Sequence, residues 1–164
     1  MGDSKKPISV AELQAYPLFR DLTPAEIVAL LGSARVRTYG GDHRLIFRQG
    51  DVADGMYVIL SGEVDVFSYD VSMRKHHLGT MGEGESFGET SLLEDTRRTA
   101  GTEARDEARL IFLSKDAFNA MQATHAAALS KLFLRMLEAS NKRLRMLGER
   151  YISAKSALGM LQGL

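Results

Sequence analysis

The spacing of apolar and polar positions changes twice along the chain, which divides it into three parts. Near the start, Ser9 and Glu12 have the spacing of a capping box ahead of Leu13 and Tyr16, predicting a short helix that Pro17 ends. Thr23-Pro24-Ala25-Glu26 combines an N-cap hydroxyl, a proline at the first helical position and a glutamate at the third. Ile27, Leu30 and Leu31 then form the buried stripe of a second helix, with Gly32 marking its end. From Ala34 to Ser114 the pattern becomes short runs of Val, Ile, Phe and Tyr broken by Gly and Asp, which predicts antiparallel strands. Turns are expected at Gly40-Gly41-Asp42, Gln49-Gly50-Asp51, Asp54-Gly55 and Ser61-Gly62. Met56 to Leu60 is continuously apolar, as for a strand covered on both faces, whereas Val64 and Val66 alternate with Asp65 and predict one wet face. The expected fold class is mainly β with helical flanks: an antiparallel jelly-roll β-barrel of about eight strands, short N-terminal helices and a long C-terminal helix.

The third part is helical. Ser114 caps a helix that begins at Lys115, and a longer helix is expected from about Ala126 to Leu161. Leu129, Leu132 and Met136 are placed against the barrel. Phe133, Leu137, Ser140, Leu144, Leu147, Tyr151, Ala154, Leu158 and Leu161 recur at alternating spacings of four and three, a heptad seam of about four heptads. A barrel cannot cover the distal half of such a helix, so the seam predicts a homodimer. The alternative is a helix that packs on its own domain, and Gly148 and Gly159 each weaken the helix by about 1 kcal/mol. The domain reading is a loose N-terminus over 1–8, a β-barrel domain with its N-terminal helices over 9–125, and a C-terminal helix over 126–164.

Composition narrows the picture without naming a chemistry. The chain has 164 residues, enough for one domain with a sizeable core. Lys plus Arg and Asp plus Glu both total 21, so no global field draws in nucleic acid or anionic lipid. There is no cysteine, which excludes disulfides and thiolate metal sites. No apolar run has the length of a membrane span or signal-peptide core, and Lys6 stands where N-myristoylation after Gly2 requires Ser or Thr. A cytoplasmic protein without a membrane partner is expected.

The candidate chemistry lies in Phe87 to Ala100, FGETSLLEDTRRTA. Gly88 allows close backbone approach, and Leu92 and Leu93 anchor a short helix whose first amides suit an anion. Glu89 supplies a carboxylate for a sugar hydroxyl, and Arg97 and Arg98 supply guanidinium forks matched to phosphate oxygens. Together these read as a ribose-plus-phosphate site. The stretch closely resembles the phosphate-binding cassette of the cyclic nucleotide-binding domain family, as found in catabolite activators and protein kinase regulatory subunits. The resemblance extends through Phe47-Arg48-Gln49-Gly50-Asp51, Tyr57-Val58-Ile59, Ser61-Gly62-Glu63-Val64, Gly82 to Glu85, Ala104 and Leu110-Ile111, and so covers roughly residues 13–150.

The resemblance implies that Glu89 binds the ribose 2′-hydroxyl and Arg98 the exocyclic phosphate oxygens, with Gly88 and the Thr90 and Ser91 amides completing the cradle. Thr99 matches a position where the family varies among alanine, serine and threonine. Threonine there resembles the cGMP-selective kinase pattern, while activator-like proteins with a hydroxyl look cAMP-selective, so the base stays open between cAMP and, less favoured, cGMP. Arg97 replaces the family's usual proline, and Thr90 a usual aliphatic residue; neither change removes a ligand group. A further family contact comes from the C-terminal helix closing over the purine, with candidates in the window Ser140 to Arg145. Asn141 and Arg143 have the donors, but a solvated face beside Lys142 and Arg145 is the reading their sequence context favours.

His76-His77 cannot both ligate one ion from regular strand geometry, and His43, His76, His77 and His125 do not form a cupin pattern. No Gly-x-Ser-x-Gly elbow, Gly-Lys-Ser/Thr loop or His-Glu-x-x-His motif is present, and nothing argues for an enzyme or a resident cofactor. The sequence therefore predicts a regulatory sensor that changes helix or dimer geometry on binding. With no room for a helix-turn-helix before Leu164, direct DNA reading is not expected, and an effector protein is the implied output. Two alternatives stay open: a non-binding domain used for dimerisation or docking, and a regulatory fragment of a larger protein.

Overall fold

The computed structural model describes residues 8–94 and 96–162, with side chains described to residue 160. The loose stretch expected over 1–8 falls almost wholly outside the described residues, as does the side chain of Leu161 at the end of the seam. Both N-terminal capping boxes form. Ser9 accepts from the Glu12 amide ahead of α1 (Val10–Gln14), and Thr23 accepts from the Glu26 amide ahead of α2 (Pro24–Ser33). Gly32 lies inside the last turn of α2, which is ended instead by extended backbone at Ala34.

Eight strands follow: β1 (Arg35–Tyr39), β2 (Leu45–Phe47), β3 (Gly55–Ser61), β4 (Val64–Tyr69), β5 (Lys75–Met81), β6 (Ser86–Phe87), β7 (Gly101–Ala104) and β8 (Ala108–Ser114). They form two four-stranded antiparallel sheets, ordered β1-β8-β3-β6 and β2-β7-β4-β5. This is the expected jelly-roll arrangement. One row of alternate residues (Tyr57 and Ile59 of β3, Ala108, Leu110 and Phe112 of β8) joins Val64, Met81, Phe87 and Ala104 in a core between the sheets. The other row (Met56, Val58, Leu60, Ile111 and Leu113) points outward into a second core built with the helices. That second core explains the unbroken apolar run of β3, because both faces of the strand are covered.

The β4–β5 register slips at Val66 and Phe67, where Leu78 of β5 is the extra residue. Phe67 is buried because its ring lies on Gly101, whose absent Cβ would sit 2.4 Å away, with the Lys75 ammonium 3.9 Å above it. Asp54-Gly55 is not the turn its composition suggests. Gly55 opens β3 opposite Ser114, and a Cβ there would lie 2.3 Å from the Leu113 carbonyl oxygen, so the glycine permits close strand approach. His76 and His77 engage separate acids, Asp70 at 2.8 Å and Asp65 at 3.2 Å.

A four-residue helix, α3 (Thr90–Leu93), follows β6, and α4 (Lys115–Gln122) begins at the expected cap, the Ala117 amide donating to Ser114 Oγ at 3.1 Å. The long helix α5 (Ala126–Gln162) buries Leu129, Leu132 and Met136 against α1, α2 and the outer face of the barrel. Beyond Met136 its stripe Leu137, Leu144, Leu147, Tyr151 and Leu158 is exposed. Among the described residues no helix is long and apolar enough to cross a membrane.

Candidate functional site

The site begins with two strands held edge to edge. β6 is only two residues long, and Phe87 sits opposite Tyr57 of β3 with the rings stacked at 5.2 Å between centroids. This stacking fixes where the chain leaves the sheet. Gly88 then takes φ +76°, which a residue with a Cβ adopts at a cost, and turns the chain into α3. A Cβ on Gly88 would lie 2.5 Å from Arg98 Nη1, so the missing side chain is the space the guanidinium uses.

Arg98 is positioned from the other side of the site. Its amide donates to the Asp51 carbonyl and its carbonyl accepts from the Gly50 amide, both at 2.8 Å. Its side chain is 3% exposed. Nη2 donates to Asp54 Oδ1 at 2.9 Å and to the Gly55 carbonyl at 2.7 Å, and Nη1 donates to the Gly88 carbonyl at 3.4 Å. The guanidinium carbon lies 4.1 Å from the centre of the Phe47 ring, within cation–π range. Arg98 Nε is buried without a hydrogen-bond partner among the described residues, so the fork retains an unspent donor there.

Glu89 faces α5. Its side chain makes no capping hydrogen bond to α3. Glu89 Oε1 instead accepts from Ser140 Oγ and from Arg143 Nη1, each at 3.1 Å, while Arg143 Nη2 donates to the Ser86 carbonyl. The solvated-face reading of Arg143 is thereby corrected: the helix brings its guanidinium onto β6 and the loop after it. Ser140, read from the sequence as a seam position, also belongs to this inward face.

These groups enclose a cavity of about 230 Å³ lined by Phe47, Val66, Met81, Phe87, Gly88, Glu89, Thr90, Arg98, Thr99, Ala100, Thr102 and Arg143. Six of the predicted positions (Gly88, Glu89, Thr90, Arg98, Thr99 and Arg143) thus meet at one cavity. Two do not line it. Ser91 is buried behind the wall, with both its Oγ (2.6 Å) and its amide (3.2 Å) spent on the Gly88 carbonyl, so it does not present the expected free amide. Asn141 is exposed on α5. Leu93 is exposed as well, and Leu92 alone anchors α3 in the core. Arg97 donates to the Gly50 carbonyl at 2.9 Å and braces the loop from outside the cavity.

Sequence reasoning placed Phe47 in a resembling segment and Asp54 in a turn, and assigned neither of them, nor Thr102, to the site. Asp54 and Phe47 come to Arg98 from strand segments more than forty residues upstream, and no local pattern announces them. Thr102 reads locally as an ordinary strand residue.

The chemistry of the cavity combines charged, hydroxyl and apolar groups. The Arg98 guanidinium, the Glu89 carboxylate and the side chains of Thr90, Thr99 and Thr102 share the lining with Phe47, Val66, Met81 and Phe87. The family model of the cyclic nucleotide-binding domain matches residues 41–125, just over half of the chain. The chain is 32% identical over 109 residues to the cyclic AMP receptor protein of Thermus thermophilus, covering 66% of this chain and 50% of that protein. It is also 32% identical over 114 residues to a cAMP-dependent protein kinase regulatory subunit of Blastocladiella emersonii, covering 70% of this chain and 28% of that protein. The chain therefore spans half or less of these relatives. Among solved structures, the Thermus thermophilus catabolite activator protein superposes with a TM-score of 0.64 at 31% identity, over 80% of this chain and 63% of that one. A cyclic nucleotide-binding domain from Methylobacillus flagellatus shares the fold with a TM-score of 0.76 at 24% identity, over 87% of this chain and 80% of that one. The chain belongs to the cyclic nucleotide-binding domain family.

Proposed function

We propose that the chain is a regulatory sensor that binds a cyclic nucleotide in this cavity, cAMP before cGMP, and passes the change to α5. The observation that carries the reading is the meeting of Arg98, Gly88 and Glu89 at one cavity, with Arg98 Nε still lacking an acceptor. Arg98 takes the phosphate oxygens, its guanidinium exchanging part of its hold on Asp54 for a charge-assisted bond. Glu89 takes the ribose hydroxyl on its second oxygen, because Oε1 already accepts from α5 and a carboxylate has room for more donors. Phe47, Val66, Met81 and Phe87 cover the base. The preference for cAMP rests on relatives named for cyclic AMP.

Transmission follows from the same contacts. Ser140 and Arg143 tie α5 to Glu89, so a shift of the carboxylate moves the helix where its exposed part begins. The response requires a ligand that prefers one of two helix positions. The exposed stripe from Leu137 to Leu158 is assigned to a second copy of the chain, with an effector protein as a further receiver.

One observation favours the rival reading of a non-binding docking module. Arg98 and Glu89 both have partners within the chain, so the fold holds together without a ligand. Calorimetric titration with cAMP and cGMP separates the two, using wild type and an Arg98→Lys variant that keeps the charge but loses the fork. Saturable binding weakened by Arg98→Lys supports the sensor. Absence of binding to either nucleotide at millimolar concentration removes it and leaves the docking module.

A further inference from the structure

Thr102 stands in the middle strand of a three-strand row, opposite Phe47 of β2 on one side and Val66 of β4 on the other. Both neighbours are apolar and all three side chains line the cavity, as do Met81 and Phe87. A β-branched residue suits this place in a strand, so the shape of threonine is accounted for and its hydroxyl is not. The residue is 3% exposed, and Oγ1 is buried without a hydrogen-bond partner among the described residues. Buried hydroxyls are almost always paired, and an orphan in a native wall calls for an explanation. Valine would fill the same volume with no unpaired group.

We infer that Thr102 is a base-contacting residue whose hydroxyl pairs with the polar edge of the purine. This rests on the cyclic nucleotide reading of the cavity. With Arg98 and Glu89 taken up by phosphate and ribose, the base is left to the remaining lining, which includes Val66, Met81 and Thr102. A step of about 120° in χ1 carries the hydroxyl to the place of the methyl and the methyl to that of the hydrogen, which brings Oγ1 round to the cavity when a partner arrives. A hydroxyl both donates and accepts, so it meets an exocyclic amine, an exocyclic carbonyl or a ring nitrogen. A wall built to make such a bond selects against bases that cannot complete it.

The test is a calorimetric titration of wild type, Thr102→Val and Thr102→Ser with cAMP and with cGMP, alongside thermal melts. Thr102→Val is expected to melt at or above the wild-type temperature, because it removes an unpaired hydroxyl, yet to bind its nucleotide about tenfold more weakly. Thr102→Ser, which keeps the hydroxyl, restores binding. If valine disturbs folding, Thr102→Ser against Thr102→Ala isolates the same group. A wild type that binds and a Thr102→Val that binds equally well overturn this inference alone. A wild type that binds neither nucleotide overturns the sensor reading and this inference with it.

Discussion

Arg143 of α5 and Glu89, 54 residues earlier, meet in an ion pair of 3.1 Å at the mouth of the cavity. Arg143 also reaches the Ser86 carbonyl, so one side chain of the long helix holds both ends of the segment that leads into α3. Partly exposed pairs of this kind contribute roughly 0–1 kcal/mol to stability, so the contact matters more for position than for folding. Arg143→Ala is therefore expected to leave the melting temperature nearly unchanged. Nucleotide binding should weaken by about three- to tenfold, because Glu89 loses the group that aims it. Calorimetry on the variant checks this, and unaltered affinity would separate α5 from the site.

Gly88 couples backbone conformation to the arginine. Its φ is +76°, and a Cβ added there would sit only 2.5 Å from Arg98 Nη1, so Gly88→Ala adds left-handed strain and displaces the guanidinium. The strain alone costs about 1–2 kcal/mol. Urea denaturation should show at least that loss, and binding should fall further than in Arg143→Ala. A variant with wild-type stability would show that the turn relaxes without cost.

On the far sheet, the Asp65 carboxyl titrates at about 2 instead of 3.8. Burial acts to raise it, and the hydrogen bonds from Thr80, Arg105 and His77, with the Arg105 charge, outweigh that effect. A depressed carboxyl adds stability that is present above its unfolded value of 3.8 and is lost as the pH falls to about 2. Asp65→Asn should remove on the order of 1–2 kcal/mol at neutral pH, after discount for partial exposure, and should flatten the acid limb over that window. Urea midpoints measured across the same pH range decide it; parallel curves for the two proteins would assign the acid limb to other groups.

The exposed stripe on α5 carries the dimer proposal. Leu144 is 69% exposed and Leu147 56%, and neither contributes to a core of its own chain. Leu144→Glu combined with Leu147→Glu should shift the protein to monomer in sedimentation equilibrium while its fold and nucleotide affinity persist. A wild type that stays monomeric at all concentrations would sink the proposal.

Most of the fold was legible in the chain because it rests on local patterns. The two capping boxes, the doubly covered β3, the cap at Ser114 and the extent of α5 follow from spacing over a few residues, and each formed as read. Asp54-Gly55 was misread because composition does not distinguish a glycine that turns the chain from one that admits a neighbouring strand. The same limit governs the site. Gly88, Glu89 and Arg98 were found because they lie within one short stretch, whose order carries the family resemblance. Asp54, Phe47 and Thr102 reach the cavity from other strands, and only the sheet registers bring them there.

Arg143 marks the boundary most clearly. Its sequence context of Lys142 and Arg145 describes a wet helical face, and nothing local distinguishes it from them. The sequence by itself determined the β and helical elements and singled out the loop that meets the cavity after β6, since both depend on short-range periodicity and order. The sequence also placed Leu129, Leu132 and Met136 inward, but that this face continues to Ser140 and Arg143 at Glu89, and which distant side chains close the cavity, was decided by tertiary structure, because the packing of those three residues sets the helix rotation.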